Sequence, residues 1–92
     1  MQQDQDICIV GGAGHVGLPL ALAFAAAGQR VTIYDLNTAV LDVIRSGRLP
    51  FVEYGAEPLL KQALQDDRLL LTSDVRDVSR AAHVIVGGRV CS

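Results

Sequence analysis

The sequence predicts an α/β fold: a doubly wound sheet of about four parallel strands with helices on both faces. Three observations carry this. Short β-branched or leucine-rich runs occur at 6–10, 30–35, 68–72 and 83–86. Between them lie segments of helical composition, and Gly, Asn and Pro punctuate the changes. Strands that alternate with helices form parallel sheets joined by right-handed crossovers. The chain has 92 residues, the size of one small domain, so 1–92 is read as a single unit.

Each element has a local reason. "DICIV" (6–10) is a continuous apolar run that ends in glycines, the pattern of a buried strand. His15 to Ala27 is rich in Ala and Leu and reads as a helix, with Pro19 near its first turn and Gly28 as its stop. Val16, Leu20, Ala23, Phe24 and Ala27 share one face of it; the opposite face is nearly as apolar, so cover is expected on both sides. "RVTIYD" (30–35) is the second strand. Asn37 is placed to cap a helix that carries Val40 and Ile44 on its apolar stripe and stops at Gly47. Residues 48–56 show no period and read as a loop. "EPLLKQALQDD" is a helix with Pro58 in its first turn, and "RLLLT" (68–72) is the third strand. Ser73 or Asp74 is expected to cap a short helix "VRDVSRAA", and "HVIV" (83–86) closes the series before Gly87-Gly88.

Composition excludes several functions. The net charge is −2 and the pI about 5.5, without a basic cluster. With only two Tyr and two Phe, neither phosphate neutralisation nor base stacking is supported, so no nucleic-acid partner is expected. Cys8 and Cys91 lie in no metal-ligand spacing, so no metal is expected; Cys8 reads as an inert buried thiol. Asp4 and Asp6 precede the first apolar run and no cation does, which argues against a signal peptide. The run is also short of the ~18 residues a membrane span needs. A cytoplasmic protein is the expectation, and the cysteine usage suits a reducing compartment. Half the residues are hydrophobic and the mean hydropathy is +0.32. A body this small buries only about 60–65% of its surface. Either the core is dense, or apolar surface is kept for a neighbour, with a homo-oligomer as one outcome.

Gly12-Ala13-Gly14-His15-Val16-Gly17 fits G-x-G-x-x-G between a strand and a helix. In that context Gly12 serves the tight turn, Gly14 lets a pyrophosphate approach the backbone, and Gly17 lets helix and strand pack closely. Amides at the helix start favour an anion there. Asp35 ends the second strand at about the 20-residue spacing expected for a ribose-binding carboxylate. It would repel a 2′-phosphate, so NAD is expected over NADP. The plainer readings stay open: a glycine turn without ligand, and Asp35 as a solvated turn or local cap. His15 reads as a loop residue beside the cofactor rather than an acid–base catalyst. His83 reads as structural, and Glu53 and Glu57 as solvated.

"GGAGHVGLPLALAFAAAG", then "VTIYDLN", then "SGRLPFVEYGAEPLLKQAL" resemble the start of the UDP-glucose/GDP-mannose dehydrogenase family. The likeness is stronger to its nucleotide-sugar 6-dehydrogenases, of the UDP-glucose or UDP-N-acetylmannosamine type, and covers residues 7 to about 86. It implies a Rossmann-like NAD-binding domain, here truncated, with Gly12, Gly14, His15, Val16 and Gly17 at the pyrophosphate and Asp35 at the adenosine ribose. It also implies oxidation of a sugar C6 alcohol to a carboxylate with two NAD⁺, in polysaccharide biosynthesis. The family's catalytic cysteine lies further along and matches neither Cys8 nor Cys91, so no catalytic residue is assigned. Two departures stand out. Tyr54 replaces the usual Pro after Glu53, and "GGRVCS" stands where the family continues into a Thr-Pro loop.

The expectation is therefore an NAD-binding domain of such an oxidoreductase, inactive alone, with a UDP-sugar substrate only in a full-length enzyme. The rival from another class is a stand-alone nucleotide-binding or dimerising remnant without catalysis. A third reading, the start of another β-hydroxyacid-type dehydrogenase, is opposed by "GLPLALA".

Overall fold

Ile7, Cys8 and Ile9 are almost completely buried, so the strand that carries them needs cover on both faces. That strand is β1 (Gln5–Val10), in a computed structural model that describes residues 5–11, 13–14, 16–50 and 55–86. Then follow α1 (Gly17–Ala26), β2 (Val31–Tyr34), α2 (Thr38–Arg45), α3 (Ala56–Gln65), β3 (Leu69–Thr72), a 3-10 helix (Val75–Arg80) and β4 (Ala81–Val86). The four strands form one parallel sheet in the order β3-β2-β1-β4. The chain steps outward from β1 to β3, then returns past β1 to β4. With right-handed crossovers, this puts the three α-helices on one face and the 3-10 connection on the other.

Side-chain alternation agrees. Ile7, Ile9, Val31, Ile33, Leu69 and Leu71 form one core with Leu18, Ala21, Leu22, Leu41, Ile44 and Leu60 of the helices. Cys8 and Thr32 point to the opposite face and are fully buried. There the short 3-10 helix, which buries none of its own residues, is a thin cover. Leu70, Val84 and Val86 on that face remain 40%, 49% and 67% exposed.

The helix ends follow from sequence. The Asn37 side chain accepts the Val40 N–H at 3.2 Å and caps α2 as expected. Gly28 and Gly47 adopt left-handed φ angles of 99° and 90° just past α1 and α2. Behind them the Gln29 and Arg48 amides reach back to Phe24 and Val43, the paired bonds of a Schellman ending. α3 ends the same way on Asp67, at φ 58°, with Arg68 N–H on the Ala63 carbonyl. An aspartate tolerates that region through its short polar side chain.

Three expectations change. The buried face of α1 is Gly17, Leu18, Ala21, Leu22 and Ala25, not the face through Val16, Ala23 and Ala27, all of which are exposed. Leu20 and Phe24 are partly buried. The helix is apolar all round, so its own pattern does not choose a side; the sheet and α3 do. On α2 the fully buried pair is Leu41 and Ile44, with Val40 at the margin. The segment "VRDVSRAA" is a 3-10 helix that stops at Arg80, because Ala81 and Ala82 extend β4 beside Gln5 and Asp6. Asp74 caps it, accepting the Arg76 N–H at 2.9 Å. Glu53, Tyr54, Gly87, Gly88 and Cys91 lie outside the described residues.

Two measurements test this. Leu22→Ala should cost about 3 kcal/mol in urea unfolding, whereas Ala23→Ser, one residue on, should cost under about 0.5 kcal/mol. The hydrogen bond from the Arg76 side chain, more than its charge, holds the Asp74 carboxyl down to about 2. A carboxyl depressed on folding contributes stability above its ordinary value of 3.8, and loses it as pH falls towards 2. A carboxyl-carbon NMR titration should show this low midpoint, and Arg76→Gln should return it to the ordinary range.

Candidate functional site

The carboxyl ends of β1 and β2 lie side by side because Val10 pairs with Tyr34. One residue further on, the Gly11 N–H donates to the Tyr34 carbonyl at 2.7 Å, and the Asp35 N–H to the Thr72 carbonyl at 3.1 Å. The chain then turns away from β1 at Gly11, whose φ of 76° favours glycine. The turn had been assigned to Gly12, which lies outside the described residues, as does His15. The doubled Gly11-Gly12 was the signal for the earlier position.

Asp35 sits against this turn, half-buried. Its Oδ2 accepts the Ala13 N–H at 3.4 Å and its Oδ1 accepts the Asn37 N–H at 3.0 Å. The local cap is therefore real, and it coexists with a tie to the glycine turn. Each carboxylate oxygen holds one protein donor and keeps acceptor capacity for another. A ribose diol presents two such donors.

Gly14 closes the turn, its N–H 3.4 Å from the Gly11 carbonyl. A Cβ on Gly14 would come no closer than 3.7 Å to that oxygen, an ordinary contact. The chain's own packing thus does not demand glycine at 14; close approach by an outside group would. Val16 begins α1 with no side-chain cap, and the first turn carries no acidic residue. Its positive end is left for another anion. Val16 itself is exposed and Gly17 is buried. Gly14, Val16, Gly17 and Asp35 are thus gathered at one end of the sheet, where the strand order reverses between β1 and β4. Ligands of open α/β sheets bind at such a point.

Other groups are placed elsewhere. The Cys8 thiol is fully buried, and burial, with a smaller push from Asp77, raises its pKa. His83 is exposed on β4 and Glu57 is exposed on α3. A groove of about 360 Å³ runs between the end of α1 and α3, at the far end of the strands from Asp35. Its polar groups are already engaged, Arg68 with the Gly28 carbonyl at 2.6 Å and Gln62 with Asp66 at 3.0 Å. Among the described residues no three metal-ligating side chains come together, and no helix is long and apolar enough to cross a membrane.

Comparison with known proteins agrees with this geometry. The sequence profile of the UDP-glucose/GDP-mannose dehydrogenase family, NAD binding domain, matches residues 5–87. GDP-mannose 6-dehydrogenase of Pseudomonas putida is 37% identical over 73 residues, which are 79% of this chain and 17% of that protein. UDP-glucose 6-dehydrogenase of Bacillus subtilis is 31% identical over 74 residues, 80% of this chain and 16% of its own. The crystal structure of a ternary complex of GDP-mannose dehydrogenase from Pseudomonas aeruginosa superposes with a TM-score of 0.80 at 36% identity. It covers 88% of this chain and 19% of that one. The chain therefore spans less than a fifth of the length of these relatives.

The tie between Asp35 and the turn has a consequence without any ligand. Asp35→Ala removes the acceptor of two backbone amides and should lower stability by about 1–2 kcal/mol in urea unfolding. Asp35→Asn, which keeps one carbonyl oxygen, should lose less.

Proposed function

The chain belongs to the UDP-glucose/GDP-mannose dehydrogenase family, matching its NAD-binding domain, and from that premise we propose that residues 1–92 are one dinucleotide-binding unit of a nucleotide-sugar 6-dehydrogenase. The observation that carries the reading is the pairing of Asp35 with the glycine turn, at 3.4 Å from the Ala13 amide. Gly12, Gly14, His15, Val16 and Gly17 border the pyrophosphate, and the Asp35 carboxylate accepts the ribose hydroxyls. NAD supplies the hydride acceptor. The residues here bind and orient it, and Asp35 disfavours a 2′-phosphate by charge. Arg45, the nearest following arginine, does not offset this: its guanidinium is held by Asp42 at 2.7 Å and the Leu71 carbonyl at 3.1 Å.

In this reading the oxidation of a sugar C6 alcohol to a carboxylate, on a UDP-sugar or a similar nucleotide sugar, belongs to the full-length enzyme. The 92 residues bind cofactor and are inactive alone. The setting is cytoplasmic polysaccharide biosynthesis. A second reading, a dimerising module without catalysis, draws support from one feature: Leu70, Val84 and Val86 stand exposed on the thinly covered face.

Calorimetric titration separates the two. NAD⁺ should bind the parent chain, and NADP⁺ should bind at least about 10-fold more weakly, the worth of one charge-assisted pair. Asp35→Ala should bring the two cofactors level. Equal binding of both by the parent would remove the role of Asp35. Absence of binding by either would favour the module.

A further inference from the structure

The two edges of the sheet are finished differently. In β1, the amides of Ile7 and Gly11 donate to β2, at the Arg30 and Tyr34 carbonyls. A parallel ladder alternates, so Cys8 and Val10 turn their backbone groups to β4. Cys8 lies level with Val84, so β4 answers through His83 and Ile85. The backbone groups of Ala82, Val84 and Val86 are left pointing outward. The same count on β3, where the Arg68 and Thr72 carbonyls serve β2, turns Leu71 outward. There the edge is guarded, because the Arg45 guanidinium occupies the Leu71 carbonyl at 3.1 Å. A charged side chain on an edge is a usual protection against strand pairing.

The β4 edge has no such device in its own sequence. "AAHVIV" contains no Lys, Arg, Asp, Glu, Pro or Gly. Ala82, His83, Val84 and Val86 are all exposed, and among the described residues β4 pairs only with β1. Its outward-bonding residues are also the ones whose side chains lie on the thinly covered face. A strand added here would bury backbone and valines together.

We infer that the outer edge of β4 is a docking edge for a second copy of this chain, paired β4 to β4 antiparallel about a two-fold axis. The inference deepens the self-association reading above and is independent of NAD. Three properties select a second copy. A two-fold axis brings identical segments together, and an uncharged strand meets no like-charge repulsion there. The partner strand must itself have free outward groups, which β4 supplies and the Arg45-guarded β3 edge does not. Across the axis, Val84 and Val86 of both copies extend one apolar surface over the joined sheet. Six residues span only about 20 Å of edge, so the interface is small and the dimer weak, with a Kd of roughly 10 μM to 1 mM.

Sedimentation equilibrium of the 92-residue chain without cofactor is the test. The average mass should rise from 9.8 kDa towards twice that value over this concentration range. Val84→Lys and Ala82→Lys, which place a charge on the edge, should each weaken dimerisation at least 10-fold with the circular dichroism unchanged. In the parent, amide exchange at Ala82, Val84 and Val86 should slow as concentration rises, which needs no variant to fold. A parent that stays monomeric throughout overturns both the edge proposal and the self-association reading. A dimer unaffected by either lysine, with no concentration-dependent protection on β4, overturns the edge alone.

Discussion

Val10 lies level with Tyr34, and what happens at the carboxyl end of the sheet depends on that register. It brings Gly11 beside the Tyr34 carbonyl, so the turn out of β1 begins where β2 ends. It brings Asp35 within reach of the turn, so one carboxylate touches both the Ala13 and the Asn37 amides. A slip by one residue would also turn Ile7 and Ile9 out of the core, so burial and site geometry enforce the same pairing. The stability of the sheet and the placement of the binding groups thus rest on one constraint.

The site is built mostly from backbone, and that shapes what it can do. Its donors are amides, held in place by the turn and the helix start. Asp35 is the one ionised side chain that the described geometry brings there. Such a constellation holds a phosphate-linked ligand and discriminates at the ribose, and it carries no acid, base or nucleophile for bond-making. The one described thiol, Cys8, is sealed in the sheet with its pKa raised. Recognition is thereby separated from chemistry, as suits a domain that spans less than a fifth of its relatives' length.

Much of this was legible in the sequence because it is written in local signals. The four strands, the Asn37 cap, the stops at Gly28 and Gly47 and the meeting of the glycine turn with Asp35 all follow from residue type and spacing. What was not legible depends on neighbours. An evenly apolar α1 has no pattern to show which side it buries, and that choice fell to α3 and the sheet. Ala81 and Ala82 are good helix formers, yet the edge of β1 draws them into a strand. The stop of α3 was hidden because an aspartate, Asp67, stands in the left-handed position that glycine fills elsewhere. Gly11, not Gly12, bends the chain, a difference of one residue that a doubled glycine does not resolve.

β1 and β4 are neighbours in space and lie at opposite ends of the described chain. During synthesis from the amino terminus, β1, α1 and β2 emerge as a contiguous unit joined by short connections. β4 follows only after α2, α3 and β3 have been made. In that interval β1 has one partner and one bare side, although its residues are among the most apolar in the sequence. The nascent chain therefore passes through a period in which its central strand is a sticky margin. A chaperone, or the rapid completion of the helical face, would shorten its exposure to aggregation.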